Sequence, residues 1–67
     1  MAGKTNSKWY PYETLGGFFK LENGVLMGCP MNTDGTRSDS PYEVDWYEAW
    51  DNDFNPNEIV QELEERE

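Results

Sequence analysis

The sequence predicts a small α+β domain: a three-stranded antiparallel sheet covered by one C-terminal helix. Three observations predict it. Asn23-Gly24 separates two short apolar runs, 18–22 and 25–29. Period-two alternation resumes over 42–47. Asn55-Pro56 then opens a stretch with Ile59, Val60 and Leu63 at helical spacing. A chain of 67 residues has room for one domain, here 9–67. A domain of that size buries only about 60 % of its unfolded surface, which leaves little interior for a deep active site.

Residues 1–8 are small and polar and read as a flexible, frayed N-terminus. Trp9, Tyr10 and Tyr12 flank Pro11, which blocks helix and favours an extended arm or edge strand across the core. After Gly16-Gly17 comes the hairpin. Asn-Gly suits a type I′ turn, which needs positive φ at both positions. Such a turn sets Glu22 opposite Val25, Leu21 opposite Leu26, Lys20 opposite Met27 and Phe19 opposite Gly28. Phe19, Leu21 and Leu26 then share one face, with Gly28 leaving room above it; Phe18, Lys20, Met27 and Cys29 take the other. Residues 31–41, with Asp34-Gly35, read as an exposed loop.

The third strand is expected over 42–47, with Tyr42, Val44 and Trp46 on one face and Glu43, Asp45 and Tyr47 on the other. In the helix, Asn55 suits the N-cap, Pro56 the first turn and Glu58 a capping box, and Phe54 can staple onto Ile59. Glu64, Glu65 and Glu67 crowd the helix C-terminus, where the dipole disfavours them, and only Glu62 and Arg66 form a compensating i,i+4 pair. That tail predicts fraying or a cationic partner.

Charge is the strongest compositional feature. Fourteen carboxylates face five cations, for a net charge of −9. Residues 1–37 hold four cations and three carboxylates, a sum of +1; residues 38–67 hold eleven carboxylates and Arg66, a sum of −10. An acidic surface serves solubility, but solubility requires no segregation. The balance argues against direct binding to nucleic acid or to an anionic membrane. No apolar run approaches a membrane span or a signal-peptide core, and the single cysteine fits a reducing compartment, so a cytoplasmic location is expected.

Catalytic chemistry finds little support. There is no histidine, Cys29 has no base to activate it, and paired carboxylates need a cleft to separate their pKa values. The expectation is a non-enzyme with no cofactor. Asp51-Asn52-Asp53-Phe54-Asn55 opens like a calcium loop with Glu62 at its twelfth position, but Pro56 stands where the loop needs glycine. Acidic turn and helix-cap residues account for the stretch without a metal.

On a strand, Glu43 and Asp45 project to one side roughly 6.6 Å apart. Asp39, Asp51 and Asp53 extend the series, and Glu58, Glu62 and Glu65 add a helix face. Rows of carboxylates at this spacing resemble a nucleic-acid backbone and attract a groove lined by Lys and Arg. Among the interleaved aromatics, Trp46 suits the core, while Tyr47 and Trp50 suit core and interface equally.

The stretches 29–36 and 43–50, about a quarter of the chain, resemble short uncharacterised bacteriophage proteins. Size and acidity are also similar to phage-encoded inhibitors that occupy DNA-binding sites of host enzymes. The expected partner is therefore a basic host protein, contacted by Glu43, Asp45, Glu48, Asp51 and Asp53 with Tyr47 and Trp50 as anchors. The alternative is an assembly module, monomer or homodimer, that binds through its hairpin edge or aromatic arm.

Overall fold

The computed structural model describes residues 3–45, 47 and 55–67. Four strands form one antiparallel meander: β1 (Tyr10–Tyr12), β2 (Gly17–Glu22), β3 (Val25–Pro30) and β4 (Tyr42–Glu43), in that spatial order. One helix, α1 (Pro56–Glu64), packs against the sheet. The class is α+β, but with four strands rather than three, because the aromatic arm pairs with β2 from Tyr10↔Phe19 to Tyr12↔Gly17. Pro11 is tolerated there because β1 is an edge.

The β2–β3 hairpin has the register expected of its turn, from Glu22↔Val25 through Phe19↔Gly28. Asn23 and Gly24 have φ of 52° and 81°, as a type I′ turn requires. Phe19, Leu21 and Leu26 face α1, whose Ile59 and Leu63 complete a core with Val44. Tyr12 meets Phe19 edge-on, with ring centroids 5.6 Å apart. Gly28 lies beneath the Tyr42 ring: a Cβ there would stand 2.8 Å from Tyr42 Cζ and 3.0 Å from Phe19.

The expected third strand is shorter than its alternation suggests. Pairing covers Tyr42 and Glu43, and the Val44 N–H extends it by donating to Leu26 O at 3.0 Å. Trp46 and Phe54 lie outside the described residues, so their expected core and staple positions do too. On the far side of the sheet, Cys29 is buried beneath the 31–40 loop and donates to Ser38 O at 3.0 Å. Asp34 orders that loop by accepting from the Thr36 N–H and hydroxyl.

Helix entry follows the sequence. Asn55 Oδ1 accepts from the Asn57 N–H at 3.1 Å, with Pro56 in the first turn. Helix exit does not follow it. Where fraying is expected at both chain ends, the two ends meet. Asn6 is only 1 % exposed; its Oδ1 accepts from Leu21 N–H at 2.7 Å and its Nδ2 donates to Leu63 O at 2.9 Å and Arg66 O at 3.4 Å. The Asn6 N–H donates to Leu21 O, and Ser7 N–H donates to Glu67 O. Thr5 and Lys4 continue this strap over the hairpin turn, accepting from Asn23 N–H and Gly24 N–H. Neutral amide donors thus satisfy carbonyls at an acidic helix end that has no cation in its last turn.

Asn6→Ala leaves the buried Leu21 N–H of β2 without its side-chain acceptor and removes the amide that joins β2 to the Leu63 and Arg66 carbonyls. It is expected to destabilise the fold by about 2–4 kcal/mol in urea denaturation. Gly28→Ala, which drives a methyl into the Tyr42 ring, should cost about 1–3 kcal/mol in the same measurement.

Candidate functional site

The acidic residues singled out by sequence divide between described and undescribed segments. Glu43 ends β4, and Asp45 follows it; both are exposed. Asp45 Oδ1 accepts from the Tyr47 N–H at 3.0 Å, turning the chain, and the Tyr47 side chain is 87 % exposed. Glu48, Trp50, Asp51 and Asp53 lie outside the described residues. Because β4 pairs for only two residues, Glu43 and Asp45 do not form the extended strand row that alternation suggested.

A second carboxylate row is complete. Glu58, Glu62 and Glu65 are exposed on the outward side of α1 and, with Gln61, line a shallow open depression. The seven steps from Glu58 to Glu65 rise about 10.5 Å along the helix axis. Three successive phosphates on one strand of duplex DNA span about 6.8 Å of its axis, so the carboxylates form the more widely spaced row. Glu43 and this helix row lie on different sides of the sheet. Glu43 pairs with Met27 on the sheet face away from α1, whereas Val44 turns into the core beneath the helix.

Most of the cations gather on the aromatic arm. Lys20 and Arg37 lie over the Trp9 ring, 5.8 and 5.4 Å from its centroid. Lys8 and Arg66 lie over the Tyr10 ring at 5.5 and 4.8 Å. Four of the five cations are therefore placed on two aromatic rings of the arm, each such contact being worth about 0.5–1 kcal/mol at exposed sites. Arg66, expected to pair with Glu62, is among them. Sequence reading missed this arrangement; the signal was present in Lys8-Trp9-Tyr10, a cation beside two adjacent rings.

Three described groups have shifted proton affinities: the Thr36 hydroxyl and N–H bonds lower the Asp34 carboxyl, and Cys29 and Tyr12 shift as follows. Burial would raise the Cys29 thiol, but bonds with Ser38 and Arg37 outweigh it and hold the pKa below its ordinary value. The thiol is fully covered, though only by the thin 31–40 loop. Burial first, and the Glu62 carboxylate second, raise the Tyr12 phenol, with Arg66 partly offsetting them. The Tyr12 hydroxyl lies near Glu62 yet has no partner at hydrogen-bonding geometry.

Among the described residues, no group of three His, Cys, Asp or Glu side chains is arranged to hold a metal, and no helix is long and apolar enough to cross a membrane. No family model, curated protein or solved structure matches the chain.

A raised phenol pKa favours the folded state while the phenol is protonated. That contribution is whole below the unfolded value near 10 and is lost as pH climbs through the folded value. Tyr12→Phe should therefore soften the loss of stability above about pH 10. At neutral pH it should leave stability within about 1 kcal/mol of wild type, on the stabilising side, because an unpartnered hydroxyl is removed. Urea midpoints at neutral and alkaline pH measure both effects.

Proposed function

We propose that this chain is a non-enzymatic acidic binding protein that occupies a basic, nucleic-acid-binding surface of a host protein and inhibits it, as a phage-encoded inhibitor would. The observation that carries the reading is the placement of the cations. Lys8, Lys20, Arg37 and Arg66 lie over the Trp9 and Tyr10 rings, and the described carboxylates of the second half are exposed. Glu58, Glu62 and Glu65 supply an exposed anionic row on a capped helix, and the exposed Glu43 and Asp45 add further charge. Tyr47 is an exposed aromatic anchor.

Charge of this kind sets the association rate and its dependence on salt more than it sets equilibrium affinity. Each exposed pair contributes only about 0–1 kcal/mol, so the acidic residues act as a group.

Pairing through the hairpin edge has less support. The chain itself flanks both hairpin strands: β1 and Asn6 lie along β2, while β4 and Val44 lie along β3. The sheet edges that remain are a three-residue strand containing Pro11 and a two-residue strand, both poor templates for strand addition.

Immobilised and challenged with bacterial lysate, the chain should retain nucleic-acid-binding proteins at about 50 mM salt and release them by about 500 mM, where screening confines charge effects to a few Å. A variant combining Glu58→Gln, Glu62→Gln and Glu65→Gln should associate with the retained protein roughly tenfold more slowly. Retention that is indifferent to salt and to these substitutions would contradict the proposal.

A further inference from the structure

The Asn23-Gly24 turn has a chemistry that neither its structural role nor the binding proposal uses. An Asn-Gly pair is the most reactive setting for asparagine self-cleavage of its side-chain amide, because no side chain hinders the following nitrogen. The Gly24 amide nitrogen loses its proton and attacks Asn23 Cγ. A C–N bond forms, ammonia leaves, and a five-membered imide results. Water then opens either carbonyl, so that asparagine plus water becomes aspartate or isoaspartate plus ammonia. No other reactant is required.

In the fold, each part of that reaction is obstructed by the N-terminal strap. The attacking group, Gly24 N–H, donates to Lys4 O at 2.9 Å. The Asn23 N–H donates to Thr5 Oγ1 at 2.9 Å. Gly3 lies directly on the turn: a Cβ on Gly3 would stand 2.5 Å from Gly24 N and Cα and 2.7 Å from Asn23 C. Asn23 itself is held at φ 52°, and ring closure requires rotation out of the turn conformation. Asn6 anchors the strap to β2 and α1 just beyond these contacts.

We propose that Asn23-Gly24 is a latent self-modification site, which the strap formed by residues 3–7 keeps closed. Lifting the strap frees the Gly24 N–H and lets the turn rotate. The product adds a carboxylate beside Glu22, and isoaspartate lengthens the backbone of the two-residue turn that sets the β2–β3 register. Strap release thus becomes an irreversible weakening of the hairpin, independent of any partner.

The test is incubation in mildly alkaline buffer, with peptide mapping that separates the Asn, Asp and isoAsp forms of the turn. The chain in urea provides the unprotected rate. Folded wild type should convert far more slowly than this. Gly3→Val, which collides with the turn, and Thr5→Val, which removes one acceptor, should each accelerate conversion. The increase should be roughly 5–30-fold for Gly3→Val, as expected when local closure weakens by one or two kcal/mol, and smaller for Thr5→Val. If Gly3→Val unfolds the chain altogether, Thr5→Val decides the outcome. Folded wild type converting at the urea rate would overturn the proposal. So would a Thr5→Val chain converting no faster than wild type.

Discussion

One buried side-chain amide joins the parts of this fold. The core consists of Phe19, Leu21, Leu26, Val44, Ile59 and Leu63, with Tyr10, Tyr12 and Val60 packed at its margin. So small a core leaves a nine-residue helix dependent on tertiary contacts, since helices of that length are unstable alone. Asn6 supplies a directional contact that apolar packing does not. Through Leu21 it holds β2, and through Leu63 and Arg66 it holds the end of α1. An amide in this position meets acceptor and donor together, which neither a carboxylate nor a lysine can do. The strap, the hairpin turn and the helix end therefore stand or fall as a unit.

The frame gives the charge distribution its physical meaning. A net charge of −9 opposes compaction, and the usual remedy is ion pairing across the surface. This chain instead uses its few cations against the arm, where Trp9 and Tyr10 receive them. The exposed carboxylates on α1 keep their field. Self-repulsion is the corresponding penalty, and the links made by Asn6 help the fold withstand it.

How much of this was legible in the sequence depended on how local the cause was. The hairpin register followed from Asn23-Gly24, and the helix start followed from Asn55-Pro56, because each is determined within a few residues. Room above Gly28 was legible from the same register, although its occupant, Tyr42, was not. The fourth strand was not legible as a pairing, since three residues around a proline form an edge only when β2 is beside them. Alternation through residues 42–47 overstated β4, because alternation continues where pairing stops. Asn6 reaches partners 15 and 57 residues away, so nothing adjacent to it distinguishes it from a polar tail. In the candidate site, the exposure of Glu43 and Asp45 could be read from the pattern, but not that of Tyr47, for which core and interface were even, nor the placing of Glu43 on the sheet face away from the α1 carboxylates. That placing follows from which sheet face the helix covers.

The central claim is that this anionic surface takes the place of a nucleic-acid backbone. It is tested most directly by competition between the chain and duplex DNA for a purified protein retained by the chain. The account predicts mutually exclusive binding: added DNA displaces the chain in proportion to its own affinity, and the chain displaces DNA in turn. A ternary complex, with DNA and chain bound together at undiminished affinity, would contradict it.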